Sequence, residues 1–216
     1  MFQNERNVGF NYLALGAYIE STDGFLYKST QWQSAGKTAN CVVLIASTNM
    51  FRLSLNHVKK TMFPDSYNQG TISSYIGGTV VNSATHFNGE QDTQSLINFL
   101  ISKSSNTTTY AAPYCHAANF LYGNKQAYLP SSGQVHLMFN NRTILNECIS
   151  VCGGDNIPAD AYYDDATRYW SSSYSSYFGG AKDMLIAVFS NGRDTNAGYN
   201  SYTTASYYVR PVADYE

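Results

Sequence analysis

The spacing of apolar residues changes twice along the chain, and this order of patterns constrains the fold more than any other feature. Between residues 10 and 55 the apolar residues alternate or run continuously, which is typical of strands. Between 96 and 151 they recur at helical spacing, and strand-like runs return between 168 and 212. Strands, then helices, then strands predict an α+β fold in which antiparallel sheets carry packed helices.

Two patterns in the first part predict strands that are covered to different extents. The run 41–45 is apolar throughout, which predicts a buried strand. The run 51–55 alternates between apolar and polar residues, which predicts a strand with only one face against the core.

The middle of the chain predicts two or three helices. Asp92 or Thr93 is the expected N-cap of a helix of roughly three turns that carries the apolar residues of 96–101. A second helical piece is expected over 111–121. A long third helix is expected to begin at 130–133 and to end at the two glycines 153 and 154.

The length of 216 residues fits one domain with a short extension. Residues 1–9 are polar and are interpreted as an N-terminal arm, followed by a single domain over 10–216. Within that domain we distinguish a strand-rich part (10–60) and a C-terminal part (160–216). The N-terminus carries no apolar run, so we expect neither a signal peptide nor a membrane-spanning segment, and folding in a cytoplasm unless a leader was removed.

Charge and cysteine content exclude several classes of function. Charged residues make up 13% of the chain and the net charge is -2, so no basic face for nucleic acid and no run of charge for an anionic membrane is expected. Four cysteines, at 41, 115, 148 and 152, are too few and too dispersed for a disulfide scaffold. Cys148 and Cys152 have the spacing of half a metal site, but without a second pair we interpret all four as reduced core residues and predict no cofactor.

Tyrosine is unusually abundant, with 19 residues, and its position suggests a contact surface. Tyrosine also favours strands, so composition alone leaves both interpretations open. The polar stretch 190–202 exceeds what a hairpin needs, although Asn191 and Gly192 would suit a tight turn. Loops on a rigid scaffold commonly carry binding residues. The predicted ligand-binding residues are Tyr174, Tyr177, Arg193, Asp194, Asn196, Tyr199, Asn200 and Tyr202; ordinary loop decoration is the alternative.

Several segments together resemble a known superfamily. In chain order they are an opening from Gly16 to His57, His86-Phe-Asn-Gly89 with Thr93, Ala111-Ala-Pro-Tyr-Cys115, Tyr128-Leu-Pro-Ser-Ser-Gly-Gln134, Tyr169-Trp-Ser-Ser-Ser173 and Tyr207-Tyr-Val-Arg-Pro-Val212. They resemble segments of the formylglycine-generating-enzyme and C-type-lectin-like superfamily, as found in many gut-bacterial and phage proteins. The third segment has Pro113 where the family has lysine. The resemblance covers about residues 10–215.

The resemblance implies a C-type-lectin-like fold and recognition of a partner. The superfamily includes variable proteins of diversity-generating retroelements, among them phage tail tropism determinants, and residues 174–206 have the composition of their diversified region. The implied ligand is a cell-surface protein or glycan, and the implied location is a virion tail tip. The alternatives are a bacterial surface adhesin, or a structural virion component that docks to other tail proteins through residues 1–9. A homotrimer is implied by analogy with tail tips.

Enzymatic and calcium-dependent functions are not expected. The cysteine pair of the generating enzyme has no counterpart, because Cys148 and Cys152 lie on the predicted long helix and the C-terminal strands hold no cysteine. The histidines at 57, 86, 116 and 136 lack nearby nucleophile signatures. The segment 155–160 offers oxygen ligands, but its proline does not match the calcium-binding tripeptide of C-type lectins.

Two residues of the resembling segments are expected to be structural. Arg210 precedes Pro211, and its guanidinium is expected to pair with a carboxylate or with carbonyls and to lock the last strand. Pro211 cannot donate a ladder hydrogen bond, so it suits the end or edge of a strand. Trp170 is interpreted as a core residue rather than a platform for ligand.

Overall fold

The order of strands and helices follows the apolar spacing. The computed structural model describes residues 14–63, 85–105, 107–120, 125–159, 167–175, 184–188 and 206–215, with the backbone alone for 174–175 and 184–188. These residues form β1 (Gly16–Ser21), β2 (Leu26–Tyr27), α1 (Ser29–Ala35), β3 (Ala39–Ala46), β4 (Asn49–Leu53), β5 (Val58–Lys60), α2 (Gly89–Ser102), α3 (Ala111–His116), α4 (Ser132–Asn140), α5 (Arg142–Val151), β6 (Tyr169–Ser175), β7 (Met184–Val188), β8 (Tyr207–Val209) and β9 (Val212–Asp214). Over these described residues the architecture is α+β, with largely antiparallel sheets and five helices.

The first sheet has the strand order β2-β1-β3-β4-β9, with antiparallel pairing throughout. One face packs against α1, α4 and α5, through residues such as Val42, Leu44 and Phe51. The opposite face is covered by the segment around Phe120 and Ala127. Since both faces are covered, the prediction that 41–45 is a buried strand is confirmed.

The prediction that the strand 51–55 has only one face against the core is wrong, because the second face of the first sheet is also covered. The alternation implied that polar residues of this run face solvent, but Arg52 is only 4% exposed. Its guanidinium forms a bidentate ion pair with Glu20, with Nε 2.8 Å and Nη2 2.9 Å from the carboxylate oxygens. The charge is therefore satisfied inside the protein rather than by water.

The second sheet has the order β5-β8-β6-β7. Its strands pair antiparallel except for β6 and β8, which are parallel and meet at Tyr169 and Tyr208. Trp170 on β6 is fully buried beside α2 and α3, and its Nε1 donates to the carbonyl of Lys60 at 3.1 Å. The interpretation of Trp170 as a core residue is confirmed.

The closing run 206–212 is divided between the two sheets. β8 belongs to the second sheet and β9 to the first, and Arg210 with Pro211 makes the crossing. Pro211 lies between the two strands, as its missing N–H requires, and its carbonyl accepts from the amide of Ser54 at 2.9 Å. One short segment thus fixes the relative position of both sheets.

The helices differ from the prediction in number and limits. α1 lies in the part expected to form strands. The sequence did not predict this helix, because Trp32 is its one buried residue and a single position shows no helical period. The long helix expected over 130–154 is two helices, α4 and α5, which separate at Asn141, where the side chain amide donates to the Leu137 carbonyl. The second helical piece ends at His116 instead of 121.

The N-terminus of α2 was also placed wrongly. The N-cap is Asn88, four residues before Asp92. Asp92 instead contacts His86, with 2.6 Å between Oδ2 and Nε2, and Thr93 exchanges hydrogen bonds with the backbone of Leu129. Both side chains therefore serve tertiary contacts rather than the helix end.

None of the helices in the described part of the chain combines the length and apolarity that a bilayer crossing requires.

Candidate functional site

The predicted contact residues lie almost wholly outside the described residues. Tyr174 is on β6, where its backbone pairs with Leu185. The other predicted residues, Tyr177, Arg193, Asp194, Asn196, Tyr199, Asn200 and Tyr202, fall outside the described ranges. The structure does define the strand ends from which their segments depart.

The two Tyr-rich segments depart from opposite ends of the second sheet. Residues 176–183 connect the paired ends Ser175 and Met184. Residues 189–205 connect Val188 to the start of β8, and Val188 pairs with Tyr169 at the other end of the same hairpin. The segments that contain Tyr177 and the predicted residues between 193 and 202 therefore leave the sheet at opposite ends, which the linear sequence did not reveal.

The end of the sheet at Tyr207 is braced by cations stacked on aromatic rings. The guanidinium of Arg168 lies 5.4 Å from the centre of the Tyr207 ring, and its Nη1 donates to the Tyr207 hydroxyl at 3.0 Å. Lys60 Nζ lies 4.6 Å from the centre of the Tyr114 ring and donates to the carbonyl of Thr108 at 2.9 Å. These contacts hold the strand ends from which residues 189–205 depart. Nothing in the local pattern of these residues had indicated this role.

The crossing from β8 to β9 is held by Arg210, which is fully buried. Nη1 donates to the carbonyls of Ser54 at 2.8 Å and Leu55 at 3.0 Å, and Nη2 donates to the carbonyl of Asp155. The prediction that Arg210 pairs with carbonyls and locks the last strand is confirmed. Its acceptors lie in two separate connections, one between β4 and β5 and one after α5, so the side chain joins the β8–β9 crossing to both.

His57 completes this junction as a neutral base. Its Nδ1 accepts a hydrogen bond from Arg210 Nη2 at 3.1 Å and also contacts the Tyr169 hydroxyl. Burial, and then the charge of Arg210, lower the pKa of His57 to about 4. Burial likewise raises the pKa of Tyr169 to about 12. Both groups are therefore uncharged at neutral pH and act as structural hydrogen-bonding partners.

A polar cleft of about 300 Å³ lies at the corner of the first sheet. It is formed by the β3–β4 turn, the end of β9, Phe87 and Gln134 of α4. A buried chain of hydrogen bonds reaches its wall: Ser131 donates to Gln134 Oε1, Gln134 Nε2 donates to the Tyr128 hydroxyl at 2.8 Å, and that hydroxyl donates to Asp214. Burial, and then the bond to Asp214, raise the pKa of Tyr128, so this hydroxyl keeps its proton.

The segments 86–89 and 128–134, which carry part of the sequence resemblance described above, pack directly on each other beside this cleft. A Cβ on Gly89 would lie 2.6 Å from Gln134 Oε1 and 2.7 Å from Tyr128 Cε2. A Cβ on Gly133 would lie 2.5 Å from the carbonyl of His86. Both positions therefore require glycine, because the two segments approach each other closely. This is a physical reason for the glycines in the segments 86–89 and 128–134.

The four thiols are poorly suited to nucleophilic chemistry. All are free, and Cys41, Cys115 and Cys148 are buried. Burial raises the pKa of each, to about 11 for Cys148 and Cys152, so the thiolate is scarce at neutral pH. Within the described ranges, no three residues among His, Cys, Asp and Glu are grouped so that they could hold a metal ion.

Comparison with known proteins gives a structural neighbour. No protein-family model matches the chain, and no curated protein matches its sequence. The crystal structure of a fimbrial protein from Bacteroides ovatus ATCC 8483 is similar to it, with a TM-score of 0.57, 13% sequence identity and 94% of this chain covered. The chain spans about half of that protein, since 49% of its length is matched. At this identity the likeness shows the fold.

Proposed function

We propose that the chain is a non-enzymatic recognition domain with a C-type-lectin-like fold that binds a cell-surface protein or glycan. The observation that carries the proposal is the fold, which over 94% of the chain is similar to part of a fimbrial protein. The sequence segments that resemble C-type-lectin-like proteins support the finer assignment of the fold.

The arrangement of the second sheet supports a display role. The Tyr-rich segments 176–183 and 189–205 connect strands of a sheet that is held by contacts of Trp170, Arg168 and Arg210. A rigid base of this kind lets connecting segments vary without loss of the fold. Tyrosine, asparagine and arginine in these segments have the chemistry of protein and glycan contact surfaces. The proposed ligand-binding residues remain Tyr174, Tyr177, Arg193, Asp194, Asn196, Tyr199, Asn200 and Tyr202.

Two settings for such a domain follow from different observations. The structural neighbour is a bacterial fimbrial protein, which favours a cell-surface adhesin. The resemblance to tropism determinants favours a phage tail tip, with residues 1–9 docking to tail proteins and the domain repeated as a trimer. We propose the cell-surface setting, because it rests on likeness over nearly the whole fold, and keep the tail tip as the second candidate.

The absence of catalysis is part of the proposal. It is supported by the raised pKa values of the thiols and by the use of His57 and Tyr169 as neutral structural partners of Arg210. An enzyme of the generating-enzyme type would need a reactive cysteine pair, and Cys148 and Cys152 lie on the core side of α5 and at its C-terminal end.

Binding of the purified domain to intact gut bacterial cells and to an array of surface glycans tests the proposal. The Tyr199→Ala/Tyr202→Ala pair is expected to weaken binding at least about tenfold, because tyrosines at the centre of an interface are common hot spots. Its melting temperature should stay close to that of the wild type, since the strand ends are held by other residues.

The matched control is Tyr27→Ala on β2, a tyrosine of the first sheet outside the proposed surface; because Tyr27 packs on Trp32, its binding is compared at a temperature where its melting curve shows it folded. It should bind as the wild type does. If it loses binding to the same extent, or if the double variant loses fold and binding together, the proposed surface is wrong. If the wild type binds no cell and no glycan but assembles with tail proteins, the structural virion role replaces the adhesin.

A further inference from the structure

We propose that the cleft at the corner of the first sheet is a second binding site, for a neutral sugar residue. Its lining includes Thr48, Asn49, Phe87, Gln134, Asp214 and Tyr215. None of these belongs to the Tyr-rich segments, so the site is independent of the contact surface proposed above. Its volume of about 300 Å³ is at the lower end of the range for small-ligand sites.

Buried hydrogen bonds hold two polar residues of the cleft, Asp214 and Gln134, in place. Asp214 is exposed, and one oxygen of its carboxylate accepts from the buried Tyr128 hydroxyl. That hydroxyl is in turn fixed by Gln134, which is only 4% exposed and is held by Ser131. A carboxylate fixed in this way offers its other oxygen to a ligand at little cost in side-chain entropy.

The aromatic residues of the cleft are also fixed. Arg52 stacks on Tyr215, with 4.6 Å between the guanidinium carbon and the ring centre, and its Nη1 donates to the Asp214 carbonyl at 2.8 Å. The same arginine is anchored by Glu20. Tyr215 and Phe87 are half-buried residues that line the cleft, and aromatic rings in such a position can pack on the C–H face of a sugar.

The mixture of donors and acceptors selects the chemical class of the ligand. Asn49 carries an amide, Thr48 carries a hydroxyl and Asp214 accepts only, whereas the Gln134 amide is engaged by Ser131 and Tyr128. Sugar hydroxyls both donate and accept, so they satisfy all of these groups. An ammonium ion only donates and would leave the amide N–H groups without acceptors. Asp214 is the charged residue among the described residues that line the cleft, so an anionic sugar would be repelled.

Titration of the intact chain with single sugars tests the inference. The probes are the methyl glycosides of mannose, galactose and glucose, with N-acetylglucosamine as a fourth neutral sugar, sialic acid as the anion and ethanolamine as the cation. Saturation-transfer NMR and calorimetry are expected to show binding of at least one neutral sugar with a Kd on the order of 1 mM, and weaker binding of both charged probes.

Variants locate the binding. Asp214→Asn should weaken it about tenfold, since a hydrogen bond to a charged acceptor is replaced by a neutral one. Asn49→Ala should weaken it about fivefold, and it touches none of the buried hydrogen bonds, so its fold is preserved. Asn56→Ala, an exposed asparagine on another loop, is the matched control and should bind normally.

Three results would overturn the site: binding of none of the neutral sugars at tens of millimolar, tighter binding of ethanolamine than of any sugar, or equal binding by Asn49→Ala and the wild type. The Tyr199→Ala/Tyr202→Ala pair should keep sugar binding in the cleft. If that pair loses sugar binding while Asn49→Ala keeps it, the sugar binds at the Tyr-rich surface and the cleft is not a site.

Discussion

Two buried arginines hold two regions of this protein, and they are satisfied in different ways. Arg52, on the outer face of the first sheet, forms a bidentate pair with Glu20, which lies two strands away on β1. Arg210, at the crossing between the sheets, donates to backbone carbonyls of Ser54, Leu55 and Asp155. One arginine is neutralised by a side chain; the other is solvated by the backbone.

The difference decides which region tolerates substitution. We expect the Glu20 and Arg52 side chains to be replaceable together by apolar residues, because the two charges neutralise each other. Arg210 has no partner side chain of opposite charge among the ion pairs of the described residues. Its positive charge is felt by His57, whose pKa it helps to lower. Arg210 therefore joins backbone segments, and we expect no single second substitution to compensate for its loss.

The largest effect is expected from Glu20→Leu. This change leaves the buried guanidinium of Arg52 without its counter-charge, which should lower the free energy of unfolding by about 4 kcal/mol. Urea unfolding followed by the fluorescence of the buried Trp32 and Trp170 measures it.

The double variant Glu20→Leu/Arg52→Met distinguishes a removable pair from an essential one. Removal of both charges should recover most of the lost stability, because buried ion pairs are often replaceable by apolar residues of similar volume. A double variant that is as unstable as Glu20→Leu alone would show that Arg52 is needed for its contacts with Asp214 and Tyr215.

A smaller loss, about 3 kcal/mol, is expected from Arg210→Met. Leu55 keeps a hydrogen bond from the Asp155 amide, but the carbonyls of Ser54 and Asp155 lose their charged donor. Arg210→Lys keeps the charge without the planar fork and should recover only part of the loss. Urea unfolding of both variants measures this, and full recovery by lysine would show that the charge, not the fork, matters.

The sequence predicted one of these arginines and missed the other for a physical reason. Arg210 stands beside a proline, and a proline predicts the end or edge of a strand from the local sequence alone. Glu20 and Arg52 are 32 residues apart in the chain, and Arg52 occupies the polar position of an alternating run. Nothing local indicates that the segment around Phe120 covers that face.

The same distinction holds for the fold and the candidate sites. The α+β order and the buried run 41–45 follow from periodicity, which is local. The split of 206–212 between two sheets and the break at Asn141 depend on packing partners that periodicity does not contain. The cleft could not be predicted because its lining comes from residues 48–51, 87, 134 and 214–215, which only the fold brings together.

The smallest effect sharpens the comparison through pH. His57 has a pKa of about 4 in the folded protein and 6.5 as its ordinary value, so the unfolded chain binds the proton more readily. The contribution of His57 to stability is therefore fully present above pH 6.5 and is lost as the pH is lowered through the range from 6.5 to 4. Because the imidazole is partly exposed and screened by solvent, we expect a loss of about 2 kcal/mol or less at the acid end.

His57→Asn isolates this contribution from that of the carboxyl groups, which also titrate towards pH 4. Its amide oxygen can accept from Arg210 in place of Nδ1, and it does not titrate, so its stability should change less between pH 7 and pH 4 than that of the wild type. The difference between the two unfolding curves is the share of His57. In Arg210→Met that share should shrink, because the charge that opposes protonation is gone. If the wild type and His57→Asn lose the same stability, neither burial nor the positive charge of Arg210 lowers the pKa of His57, and the description of His57 as a neutral partner of Arg210 is wrong.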